Sequence, residues 1–108
     1  MQILTPGHRY ALENFERTDS HEPLTTVQFI QKEPVNTPEG GTVFQTVRNG
    51  TTNEEVLAML IDRLQFLNAK AACAENALAL GNLRHALEWL NKRTADRQAR
   101  NVEGTPAK

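Results

Sequence analysis

Cysteine is nearly missing from this 108-residue chain, where Cys73 stands alone. One thiol excludes an intramolecular disulfide framework and leaves no thiol pair for a structural zinc site. Histidine is almost as scarce, and His8, His21 and His85 are too scattered for two of them to share a helix face as metal ligands. No apolar run approaches the roughly 20 residues that span a bilayer. No basic segment followed by an apolar stretch of secretory length opens the sequence. Together these absences predict a protein of a reducing cytoplasm, without a membrane partner. Positive charge is not in excess either: Lys and Arg number 12 against 13 Asp and Glu, a formal net charge of -1, which argues against DNA or RNA as a bulk polyanionic partner. A Gly-rich phosphate loop of the P-loop kind and a Gly-x-Ser-x-Gly elbow are both missing, so the familiar enzyme motifs give no support. The length predicts one domain over residues 1–108, with a small core and no room for a separate catalytic lobe.

What is present falls into two halves. In residues 1–50, His8 to Phe15 ("HRYALENF") follows the Pro6-Gly7 break and reads as a strand. Thr25 to Lys32 ("TTVQFIQK") is the best strand, rich in β-branched and aromatic residues, with Val27 and Phe29 on one face. Pro34, Pro38, Gly40 and Gly41 mark a loop, after which Thr42 to Arg48 ("TVFQTVR") resumes an alternating pattern. About three short antiparallel strands follow from this, too few to stand without apolar support. In residues 51–100 two overlapping capping boxes, Thr51 with Glu54 and Thr52 with Glu55, start a helix. Leu57, Leu60, Ile61, Leu64 and Leu67 form its apolar face. The pattern weakens over Asn68 to Asn76, and a second helix then carries Leu80, Leu83, Leu87 and Leu90. The expected fold class is α+β: a small N-terminal antiparallel sheet, then an antiparallel helical hairpin with the sheet against or beside its open end, then a tail over 101–108.

Few residues suggest chemistry. His85 reads as a solvated surface group beside Arg84 and Glu88, Cys73 as a small packing residue among alanines, and Glu13, Glu16 and Asp19 as solvated carboxylates. The arginines are different in kind. Arg93, Arg97 and Arg100 extend the line of Leu83, Leu87 and Leu90, so the apolar seam of the second helix turns cationic at its end. Two readings stand side by side. Arginines near a helix C-terminus complement the macrodipole, each contributing about 0.3–1 kcal/mol. Alternatively the seam gathers guanidiniums, which require anions and whose forks suit phosphate oxygens. Phe66 and Trp89 lie off the leucine seams, where an aromatic can stack on a base or anchor a protein interface; for Phe66 the alternative is packing under the sheet.

The region "GTTNEEVLAMLIDRLQFLNAK" followed by "CAENALALGNLRHALEWLNKRTADRQARNVEGT" resembles phage proteins of the Thoeris anti-defence protein one family, whose helical hairpin is shared with the anti-CBASS protein two sponges. "HRYALENF" and "VQFIQKEPV" also look like the strand-rich part of that family. The resemblance is carried by whole regions, most specifically by "WLNKRTADR" and the "VEGT" end. It implies a non-enzymatic, cofactor-free sponge in the cytoplasm of the infected bacterial host, holding glycocyclic ADP-ribose uncleaved. It also implies cyclic di- or trinucleotides as partners at separate sites in a hexamer. By position it places base stacking on Phe66, a polar reader on Asn76 and the phosphate clamp on Arg93 and Arg97, with Arg48 as a further contact. Arg100 and Thr105 are its candidates for a second cyclic oligonucleotide site. The family tail runs Arg-Gly-Val-Glu-Gly-Thr-His, whereas this chain has Asn101 and Pro106 at the glycine and histidine positions, which removes an imidazole from any tail site. A homo-oligomer, dimer or hexamer, is expected, because so small a hairpin encloses a dinucleotide-sized ligand only when a second protomer closes the site. The alternative expectation is a non-catalytic interaction module that uses the hairpin as an oligomer interface.

Overall fold

Strand-forming residues occupy the first half of the chain and helix formers the second, and the computed structural model, which describes residues 1–16 and 21–100, follows that division. Five strands come first: β1 Gln2–Thr5, β2 Arg9–Leu12, β3 Thr25–Gln28, β4 Gln31–Asn36 and β5 Thr42–Arg48. Two helices follow, α1 Asn53–Lys70 and α2 Ala74–Ala99. The α+β class and the order of its parts match the expectation from the sequence. The strands form two antiparallel sheets, β1-β2-β3 and the ribbon β4-β5.

Local chemistry explains where the sheets depart from the sequence pattern. The expected strand over His8 to Phe15 shrinks to Arg9–Leu12, and β1 is added in front of it, joined by a turn in which Gly7 takes φ +76 and the His8 N–H donates to the Thr5 carbonyl at 3.0 Å. Four residues, "QILT", are too short to show a period. The expected strand over Thr25 to Lys32 breaks at Phe29 and Ile30 because those residues turn to pair with the start of the helical half. The Ile30 N–H donates to the Thr51 carbonyl at 2.9 Å, and Phe29 bridges Thr51 in parallel. Pro34 does not end a strand as expected. It lies inside β4, opposite Phe44, and the loop contracts to Thr37–Gly41, where Gly40 takes φ +85.

Sheet and hairpin meet through one short junction. The Thr51 N–H donates to the Gln28 carbonyl at 2.8 Å, and the Gln28 amide donates to the Asn49 carbonyl at 2.6 Å. Gly50 is required there, since a Cβ at that position would stand 2.5 Å from the Gln28 carbonyl oxygen. Thr52 then caps α1 by accepting the Glu55 N–H at 3.2 Å, so the second of the two capping boxes supplies the cap. The inter-helix break is shorter than the weak pattern suggests. The Asn68 side chain accepts the Cys73 N–H at 3.1 Å, and Cys73 caps α2 by accepting the Asn76 N–H on Sγ at 3.4 Å. Cys73 is therefore an exposed cap and not the packing residue expected.

The core is slight. Leu80 is buried on α2, Leu83, Leu87 and Leu90 are half-buried, and no residue of α1 is buried. Among the described residues Ala11 and Leu80 are the buried apolar positions, and no strand packs on either helix. The radius of gyration is 18.1 Å, against about 13 Å for a compact domain of this length. With extents of 56 × 36 × 15 Å, the chain is a slab one layer thick, its sheet beside the open end of the hairpin.

Candidate functional site

The amphipathic seam of α2 changes character along its length, and its C-terminal third gathers the cations. Trp89, Lys92, Arg93, Asp96, Arg97 and Arg100 line a shallow cleft of about 260 Å³. Trp89 is exposed, with the Lys92 ammonium 5.4 Å from the centre of its ring. Arg97 is buried, at 7% exposure, where the leucine line would place another leucine. Arg97 and Arg100 both hold interactions within the chain, as burial of a guanidinium demands. Asp96 sits four residues before Arg100, and its carbonyl accepts the Arg100 N–H at 3.1 Å. The stripe is thus not uniform. Arg93 is exposed and, among the described residues, has neither a hydrogen bond nor an ion pair.

Arg93 also borders a second, larger cleft of about 610 Å³, within the roughly 300–1,000 Å³ of small-molecule sites. Three other parts of the chain reach it: His8 from the β1–β2 turn, Lys32 from β4, and Thr52 with Glu54 from the start of α1. Asn91 and Thr94 of α2 complete the wall beside Arg93. His8 is fixed by its own backbone, whose carbonyl accepts the Phe29 N–H at 2.7 Å. Its Nδ1 lies 3.0 Å from the Pro6 carbonyl. A carbonyl only accepts, so Nδ1 carries a hydrogen and donates it. Two permanent cations, Lys32 and Arg93, face one carboxylate, Glu54, which gives the cleft a positive bias.

Phe66 and Asn76 occupy the other end of the hairpin. Phe66 is 58% exposed, off the leucine seam and away from the sheet, with the Lys70 ammonium 4.4 Å from its ring centre. Asn76 is half-buried in the first turn of α2. Seventeen residues separate Asn76 from Arg93, which on one straight helix is about 26 Å. The fold therefore brings Arg93, Arg97 and Arg100 together and holds Phe66 and Asn76 apart from them. Arg48 is exposed at the end of β5, on the sheet side of the hairpin. Thr105 lies outside the described residues, as do Asn101, Pro106 and Asp19. Sequence reasoning misses His8, Lys32, Asn91 and Thr94. His8 and Lys32 come from segments far from Arg93 in the chain, whereas Asn91 and Thr94 stand beside it on α2. Among the described residues no group of three His, Cys, Asp or Glu side chains forms a metal site, and no helix is long and apolar enough to cross a membrane.

Comparison with known proteins agrees with this architecture. Residues 30–95, which run from the sheet–helix junction through β4, β5 and α1 into the cationic part of α2, match the family described as the Acb2/Tad1 hairpin domain. The chain is also 42% identical over 96 residues to Thoeris anti-defense 1 of Bacillus phage SBSphiJ7, an alignment covering 88% of this chain and 68% of that protein.

Proposed function

The chain belongs to the Acb2/Tad1 hairpin family, and from that premise we propose that it is a phage anti-defence sponge acting in the cytoplasm of the infected bacterial host. It binds and sequesters cyclic nucleotide immune signals, foremost glycocyclic ADP-ribose from Thoeris and also cyclic di- and trinucleotides from CBASS, and it does not cleave them. The observation that carries this reading is Arg93, an exposed guanidinium without an internal partner on the ridge between two clefts. Its fork suits a pyrophosphate, and Arg97, buried beside it, makes the second half of the clamp. Arg48 adds a contact from the sheet side. Arg100 and Thr105 serve a second, oligomer-dependent site for cyclic oligonucleotides.

The separation of about 26 Å between Asn76 and Arg93 gives the assembly a role. A dinucleotide-sized ligand cannot span it within one chain. A second copy lying antiparallel brings its Phe66 and Asn76 to the first copy's Arg93 and Arg97, so the base is stacked by one protomer and the phosphates are held by the other. Arginines held in place before the ligand arrives lose less entropy on binding, which favours tight capture. Titration calorimetry with glycocyclic ADP-ribose tests the sponge, with mass analysis of the ligand released on heating. Heat of binding and intact ligand are expected, while no binding to this signal or to cyclic di- and trinucleotides overturns the reading. Mixing Phe66→Ala chains with Arg93→Ala chains, each deficient alone, tests the shared site. A mixed dimer regains one intact site if the residues act across the interface and none if they act within one chain.

The alternative is an interaction module without a small-molecule ligand, and the exposure of Met59, Leu60, Leu67, Leu78 and Trp89 along the hairpin favours it. Ligand-induced stabilisation separates the two. A sponge gains about 2.7 kcal/mol at ligand a hundredfold above its dissociation constant, and an interface module gains nothing.

A further inference from the structure

One large side chain takes no part in the sponge as described so far. Trp89 is 68% exposed, although an indole is among the largest apolar groups a chain can bury. Its place on α2 accounts for the exposure. Trp89 precedes Leu90 by one residue, about 100° around the helix from the half-buried leucine line, so its ring leaves the seam. No strand packs on the helix to cover it. Packing within the chain therefore gives no reason for a tryptophan at this position.

The neighbours of Trp89 give one. The indole lines the cleft of about 260 Å³ together with Lys92, Arg93, Arg97 and Arg100. Arg93 follows Trp89 by four residues, the spacing of neighbours on one helix face, and stands about 6 Å further along the axis. That separation is close to the reach of one nucleoside from its base to its phosphate. The Lys92 ammonium lies 5.4 Å from the ring centre, within cation–π range. Among the described residues neither Lys92 nor Arg93 forms an ion pair. An open π face beside two unpaired cations suits a base joined to a phosphate. Phe29, the aromatic of the larger cleft, is half-buried and already met edge-on by Tyr10, with 6.0 Å between ring centres. Trp89 is thus the open aromatic face beside Arg93.

We infer that Trp89 stacks the second base of a two-base nucleotide, and that it sets the preference of the site between two-base and one-base signals. The inference rests on the sponge reading, in which Phe66 takes one base while Arg93 and Arg97 hold the phosphates. A signal with a single base uses nothing further. A signal with two bases carries the other one to the clamp side of its phosphates, where the indole lies one helical turn before Arg93. Its flat ring accepts any base, so Trp89 counts bases and leaves their identity to the turn end of the hairpin.

The chain holds one tryptophan, so indole emission reports on Trp89 alone, and a base stacked on the ring quenches it. Titration of the full chain with cyclic di-AMP is expected to quench the emission, and titration with glycocyclic ADP-ribose to leave it nearly unchanged. Trp89→Ala is expected to weaken capture of cyclic di-AMP by about 5–150-fold, the worth of one stacked base, with the affinity for glycocyclic ADP-ribose kept. Trp89→Phe retains a π face and is expected to recover most of that loss. Equal losses for the two ligands in Trp89→Ala, or a smaller assembly by light scattering, assign the indole to a protein interface and overturn the inference. Binding of cyclic di-AMP without quenching overturns it as well. A chain that captures glycocyclic ADP-ribose but not cyclic di-AMP loses the role of Trp89 and remains a sponge, whereas a chain that captures neither loses both.

Discussion

The two ends of the helical hairpin are built from different chemistry. The turn end offers an exposed phenyl ring at Phe66, an amide at Asn76 and small alanines on either side of a three-residue connection. The sheet end offers guanidiniums, an ammonium and an imidazole drawn from α2, β4 and the β1–β2 turn. The first set is suited to telling one flat polar molecule from another, and the second to holding negative charge. In most pockets these duties share one cavity. Here a rigid helix holds them apart, so in the proposed sponge neither end works without a neighbour, and capture becomes a property of the assembly.

The sharpest way to break this division is at Arg97 and Arg93, which lie one helical turn apart but in different environments. Arg97→Ala strands the groups that the buried guanidinium satisfies and is expected to cost about 1.5–3 kcal/mol of stability along with capture. Arg93→Ala is expected to lower affinity for glycocyclic ADP-ribose by about 10–100-fold at an unchanged melting temperature. Calorimetry and thermal melts on both variants check the pair, and an equal loss of stability in the two removes the distinction. At the other end, Phe66→Ala is expected to weaken capture by about 1–3 kcal/mol, the worth of one stacked base, without changing the fold. A ligand series with the base altered sharpens this test: the loss should follow the base at Phe66 and the phosphate charge at Arg93. The smallest effect is a control. Gly81 is in the middle of α2, and a Cβ there would meet nothing within 4 Å, so Gly81→Ala is expected to stabilise by about 0.5–1 kcal/mol and leave both ends unchanged; thermal melts and calorimetry check it.

Legibility in the sequence follows the range of the interactions. Thr52 with Glu55 and the line from Leu80 to Leu90 act within one helix, and both are readable as a cap and a seam. The strand limits are not, because β1 is too short to show a period and because Thr51, far along the chain, accepts the Ile30 N–H and bridges Phe29. Pro34 reads as a breaker since a single chain does not reveal which edge of a strand it will occupy. At the candidate site the arginine stripe is legible, but which arginine is buried is not. His8 and Lys32 join the larger cleft through tertiary folding alone and leave no local signal. The distance between Asn76 and Arg93, in contrast, is set by residue count on a helix, and the sequence already contains it.

That count makes α2 a ruler. At about 1.5 Å per residue, its length fixes the spacing between reader and clamp in every copy, and symmetry applies the same spacing twice. Insertion of a helical turn between Asn76 and Arg93 moves the two by about 5.4 Å and pulls a matched pair of copies out of alignment, even with each contact residue retained. The Thr37–Gly41 turn carries no such calibration. Within this family, length variation is therefore expected to collect in the ribbon turn, while the hairpin keeps its residue count or changes it only in step on both helices.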